Sequence, residues 1–185
     1  LDAYVTDFLG RARAAGYVVP DQAFKSALAN LRNQVNYAPD FDADTNGGGT
    51  APAYALMVLA REGAAAVGDL RYYADVKTGA FDTPIAAAQL GAALASYGDQ
   101  TRADEMFKRA AELVAANIRA DQAAAEAQVW RADYGTNLRD ATALLALGTE
   151  AGSTAFSAND LGQSVAASLL NRGLSTQEAT WALLA

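Results

Sequence analysis

Apolar residues recur every three or four positions along most of this chain, the spacing that lines one face of an α-helix. Leu1, Tyr4, Val5, Phe8, Leu9 and Ala12 form the first such stripe, and Gly16 follows where a helix would close. Pro20 stands where the first turn of a helix tolerates proline, ahead of a second stripe of Phe24, Leu28, Leu31 and Val35. Asn36 to Pro52, rich in Gly, Asp and Pro, reads as a loop. A third helix is predicted from about Pro52 to Gly63. A fourth is predicted over Asp69 to Lys77, with Leu70, Tyr73 and Val76 on one side. Thr83-Pro84 reads as an N-cap and first-turn proline opening a fifth helix that ends near Gly98. Asp99 or Thr101 caps a sixth, striped by Met106, Phe107, Ala110, Leu113, Val114 and Ile118. The period fades over 120–135, resumes near Asn137 and stops by Gly152. Ser157 to Asp160 and Ser175 to Glu178 each have the form of a capping box, opening two last helices.

These helices alternate in character. The second, fourth and sixth are amphipathic, whereas the third (Ala53–Ala60), fifth (Ile85–Ala95) and seventh (Ala141–Leu147) are apolar nearly all round. A helix apolar on every side has to be covered on every side. The alternation therefore predicts two concentric layers, where a flat solenoid would leave both helices of each pair partly exposed. Segments of small and apolar residues end at Gly16, Gly63, Gly98, Gly152 and Gly173, at spacings too irregular for a 34-residue tetratricopeptide array. The expected fold is all-α: an incomplete α/α toroid of about nine helices, with residues 1–185 forming one domain.

Composition narrows the chemistry. Of 185 residues 46 are alanine, the strongest helix former, which argues against a β-rich fold. The chain has no Cys and no His. Within it, disulfides, thiolate or imidazole metal ligands, a Cys nucleophile and a Ser–His–Asp triad are thereby excluded. Fourteen basic against 21 acidic residues leave a net charge of −7, which disfavours nucleic-acid binding. No apolar run approaches the roughly 20 residues of a membrane span. With Leu1 neither an initiator Met nor part of a signal sequence, the chain is expected to start inside a longer protein.

Several segments carry more than periodicity. Ala3-Tyr4-Val5-Thr6-Asp7-Phe8-Leu9, continuing through Arg11-Ala12-Arg13 to Gly16-Tyr17-Val18-Val19-Pro20, resembles a stretch of the bacterial α2-macroglobulins. So do Tyr54 to Arg61, Leu90 to Leu94 with Gly98-Asp99, and Ser175-Thr176-Gln177-Glu178. The most specific is Trp130-Arg131-Ala132-Asp133-Tyr134-Gly135-Thr136-Asn137-Leu138-Arg139-Asp140. All stand in family order, so the resemblance spans essentially the whole chain and points to the thioester domain.

The resemblance implies an α/α toroid within a large periplasmic lipoprotein, anchored to the inner membrane, that traps attacking proteases. In that family protease cleavage exposes a Cys–Gln thioester, which then acylates the protease. The two residues lie in a Cys-x-Glu-Gln motif upstream of the segments matched here. With no Cys, this chain cannot form the thioester alone. Either it begins after the motif or its parent belongs to the thioester-lacking branch, and the first is the expected case. The partners implied are the parent's other domains and, through the whole protein, target proteases. No nucleic acid and no direct membrane contact are implied. Absent its first helices, the toroid is expected to dimerise through its cut edge. Readings from other classes are a helical-repeat protein-binding module and, more remotely, an α/α-toroid hydrolase.

Candidate sites are few. Asp40, Asp42 and Asp44, followed by Asn46, imitate the start of a calcium loop. The pattern then needs Gly and Glu where Thr45 and Ala51 stand, which favours a solvated loop. Trp130, Asp133, Tyr134, Gly135, Arg139 and Asp140 combine aromatics with paired charges, as ligand sites do. A structural role is the stronger expectation, with polar groups serving helix ends and Trp130 anchoring the connection. Ser175, Gln177 and Glu178 are read in the same way, Ser175 and Glu178 as a reciprocal cap. Asp104, Glu105 and Glu112 lie on the charged side of the sixth helix, as solvated surface. No catalytic residue and no cofactor are expected, and the chain is read as not itself an enzyme.

Overall fold

The computed structural model describes residues 1–45, 48–123, 133–170 and 173–185, apart from the side chains of 121–123. Among the described residues the chain forms nine α-helices: α1 Asp2–Ala14, α2 Asp21–Asn36, α3 Thr50–Arg61, α4 Val67–Asp75, α5 Pro84–Ser96, α6 Gln100–Ala123, α7 Asn137–Glu150, α8 Ala158–Leu169 and α9 Thr176–Leu184. No β-strand occurs among them. The odd-numbered helices pack on one another in sequence, α1 on α3, α3 on α5, α5 on α7 and α7 on α9. Of the even-numbered helices, α2 packs on α1 and α3, α4 on α5 and α6, α6 on α5 and α7, and α8 on α7. The result is an inner layer α1–α3–α5–α7–α9 backed by an outer layer α2–α4–α6–α8, the arc of an α/α toroid.

The layering follows from burial. Pro84 to Gly91 of α5 are all buried, as are Leu138 to Leu144 of α7 and Ala55 to Ala60 of α3. Alanine and glycine make this possible: Ala86, Ala87, Ala88 and Ala93 are fully covered, so α5 meets neighbours on every side at short range. The outer helix α6 instead buries the single stripe of Ala103, Met106, Phe107, Ala110 and Val114. Ile118, expected on that stripe, is 40% exposed, in the last part of α6.

The irregular glycine repeat now has a cause. Gly16, Gly63, Gly98 and Gly152 have positive φ of 87°, 65°, 75° and 63° and close α1, α3, α5 and α7. In each case the next amide bonds back across the last turn: Tyr17 to Ala12, Ala64 to Leu59, Asp99 to Leu94 and Ser153 to Gly148. This closure needs a left-handed residue, which glycine supplies without steric cost. Among the described residues it ends the inner helices α1, α3, α5 and α7. Gly173 adjoins residues outside the described set.

Some expectations shift. The α1 stripe is turned outward: Leu1 is 96%, Tyr4 64%, Val5 45% and Phe8 64% exposed, while Thr6, Asp7 and Gly10 are buried. Pro20 sits just before α2, at its N-cap. The fourth helix ends at Asp75, leaving Val76 65% exposed ahead of a 3₁₀ turn at Thr78–Ala80. Both predicted serine caps form. At Ser157 the hydroxyl accepts from the Asp160 N–H, and at Ser175 the cap is reciprocal, because Glu178 has the length to reach back.

Candidate functional site

Two polar junctions hold the inner layer together, and both are made from the segments singled out in the sequence. The first joins α7 to α9. Thr136 caps α7 by accepting from the Arg139 N–H, and Arg139 then lies in the first turn, 5% exposed. Its guanidinium donates to Asp140 Oδ1 at 2.9 and 2.6 Å, to Asp133 Oδ2 at 2.7 Å and to Gln177 Oε1 at 3.0 Å. Asp140 is fully buried, so this charge-assisted pairing takes place out of water. Glu178, 2% exposed, accepts from the Thr136 hydroxyl at 2.8 Å through Oε1 and from the Ser175 N–H at 2.8 Å through Oε2. One carboxylate thus completes the α9 cap and ties it to the α7 cap.

Gly135 makes the close approach possible. A Cβ there would stand 2.2 Å from Arg139 Nη2. Tyr134 points the other way, 76% exposed with φ 52°, held between Asp133 and Gly135 by a 3.0 Å bond from the Gly135 N–H to Asp133 Oδ1. The structure therefore gathers Asp133, Gly135, Arg139, Asp140, Ser175, Gln177 and Glu178 into one network and leaves Tyr134 outside it. Trp130 lies outside the described residues. Thr136, which serves both caps, was missed by sequence reasoning. The signal was present, a threonine three residues before Arg139 at a helix start.

The second junction joins α1 to α3. Asp7, 9% exposed, accepts from Arg11 Nε at 3.2 Å, from the Tyr54 hydroxyl at 3.0 Å and from Arg61 Nη1. Burial, reinforced by the Asp7 charge, raises the Tyr54 phenol well above its ordinary value of 10.0. No role was predicted for Asp7, Tyr54, Arg11 or Arg61. They lie in the family-like segments, but their meeting depends on the inward turn of the polar side of α1.

The other candidates are dispersed. Asp40 pairs with Lys77 at 2.8 Å while remaining 88% exposed. Asp42 is engaged in the turn to Thr45, its N–H donating to the Thr45 hydroxyl at 2.9 Å. Among the described residues no three His, Cys, Asp or Glu side chains are placed to share a metal ion. Asp104 accepts from Gln100 and Ser153, while Glu105 and Glu112 are exposed. No described helix is long and apolar enough to cross a membrane.

Comparison with known proteins gives a consistent result. No family model matches the chain. It is 33% identical over 159 residues to the α2-macroglobulin of Escherichia coli (strain K12), an alignment covering 80% of this chain and 9% of that protein. The cryo-EM structure of native E. coli α2-macroglobulin superposes with a TM-score of 0.79 at 30% identity, covering 99% of this chain and 11% of that one. A crystal structure of the E. coli protein running from domain MG7 to the C-terminus superposes with a TM-score of 0.75 at 29% identity, with 99% of this chain and 28% of that one covered. The chain thus spans about a tenth of the length of the full relatives it matches. It is a homologue of bacterial α2-macroglobulin, corresponding to a segment of that protein's C-terminal region.

Proposed function

We propose that the chain is the non-catalytic shell of a thioester domain in a bacterial α2-macroglobulin-like protease trap. In this reading residues 1–185 form one all-α unit that scaffolds and shields the thioester, or the degenerate site that replaces it. The observation that carries it is the closure of both polar junctions. Asp7, Arg11, Tyr54 and Arg61 are spent on one another, as are Asp133, Thr136, Arg139, Gln177 and Glu178 with Asp140 and Ser175, holding α1 to α3 and α7 to α9. Such saturated networks fix geometry and leave no paired acid and base facing an open cleft. The reactive groups would come from elsewhere in the parent, which supplies the other domains as partners and meets proteases as a whole. The parent is read as periplasmic and tethered to the inner membrane by a lipid anchor.

The test uses the parent protein. After incubation with trypsin, cleavage of casein should be lost while cleavage of a small amide substrate persists, since a trapped protease still admits small molecules. Adducts that survive denaturing electrophoresis identify the thioester-bearing form, and trapping without them identifies the degenerate form. Trypsin that keeps full activity on casein would overturn the reading.

A further inference from the structure

We draw no further inference here: the strongest candidate, the exposed apolar face of α1 that carries Leu1, Val5 and Phe8, has nothing in the structure to show what covers it.

Discussion

At the residue scale Arg139 decides the most. Its guanidinium is enclosed by Asp140, Asp133 and Gln177, and removing it would strand a fully buried carboxylate. Arg139→Ala is therefore expected to lower the unfolding free energy in urea by about 3–5 kcal/mol, the range for breaking a buried pair from one side. Gly135→Ala should act in the same direction by less, because the guanidinium is displaced but its charge remains. Tyr134 carries the opposite expectation. An exposed aromatic with φ 52° sits in the left-handed region, which asparagine occupies more readily. Tyr134→Asn should raise stability by about 1 kcal/mol.

At the scale of elements, each inner helix is held by its ends. The closing glycines and the two polar junctions set where the helices stop and how they meet. Titration should expose this. Asp75 and Asp99 are held below the ordinary carboxylate range by their hydrogen bonds from Arg102 and Arg71, and Asp40 by that from Lys77. A depressed carboxylate contributes stability above its unfolded pKa, near 4, and loses it as pH falls through the folded value. Tyr54 works in reverse. Its raised pKa favours the neutral phenol, so its contribution is complete below pH about 10 and lost as pH rises through the folded value. With no histidine to titrate between these limits, the melting temperature should stay level from about pH 5 to 9 and fall on both sides. Tyr54→Phe should flatten the alkaline fall at a cost of about 1 kcal/mol at neutral pH, the net worth of a hydrogen bond. An alkaline fall unchanged in that variant would place its origin elsewhere, with Tyr73 next in line.

On the scale of the whole molecule, the α1 surface stands out. Leu1, Val5, Phe8 and Ala12 lie on the side opposite the buried Asp7 and Gly10, with Tyr4 beside them, so a helical stripe of large apolar groups faces solvent. Patches of this kind promote association. The 185-residue chain should self-associate at micromolar concentration in analytical ultracentrifugation, and Phe8→Asp should return it to monomer without loss of helix content. A sharp wild-type monomer across that range would count against the expectation.

Much of this architecture was legible in the chain, for local reasons. Helix spacing, the Thr83-Pro84 start, the Ser175 cap and the closing glycines depend on a few neighbouring residues, so they can be read without knowing the fold. The all-round apolar character of α5 and α7 likewise announces burial, because such a surface has no stable alternative in water. The Arg139 cluster was half legible. Its members were marked by their family likeness, yet nothing local says that Gln177 and Glu178 travel 38 and 42 residues to meet Arg139 and Thr136.

The orientation of α1 was not legible at all. Its periodicity gives a stripe but not a partner, and the structure buries the face carrying Asp7 instead, where Tyr54, Arg11 and Arg61 satisfy the carboxylate. Local chemistry determined which segments are helices and where the inner ones end. Only tertiary structure decided which charges meet and which apolar face stays open, because those depend on what each helix finds beside it once the layers close.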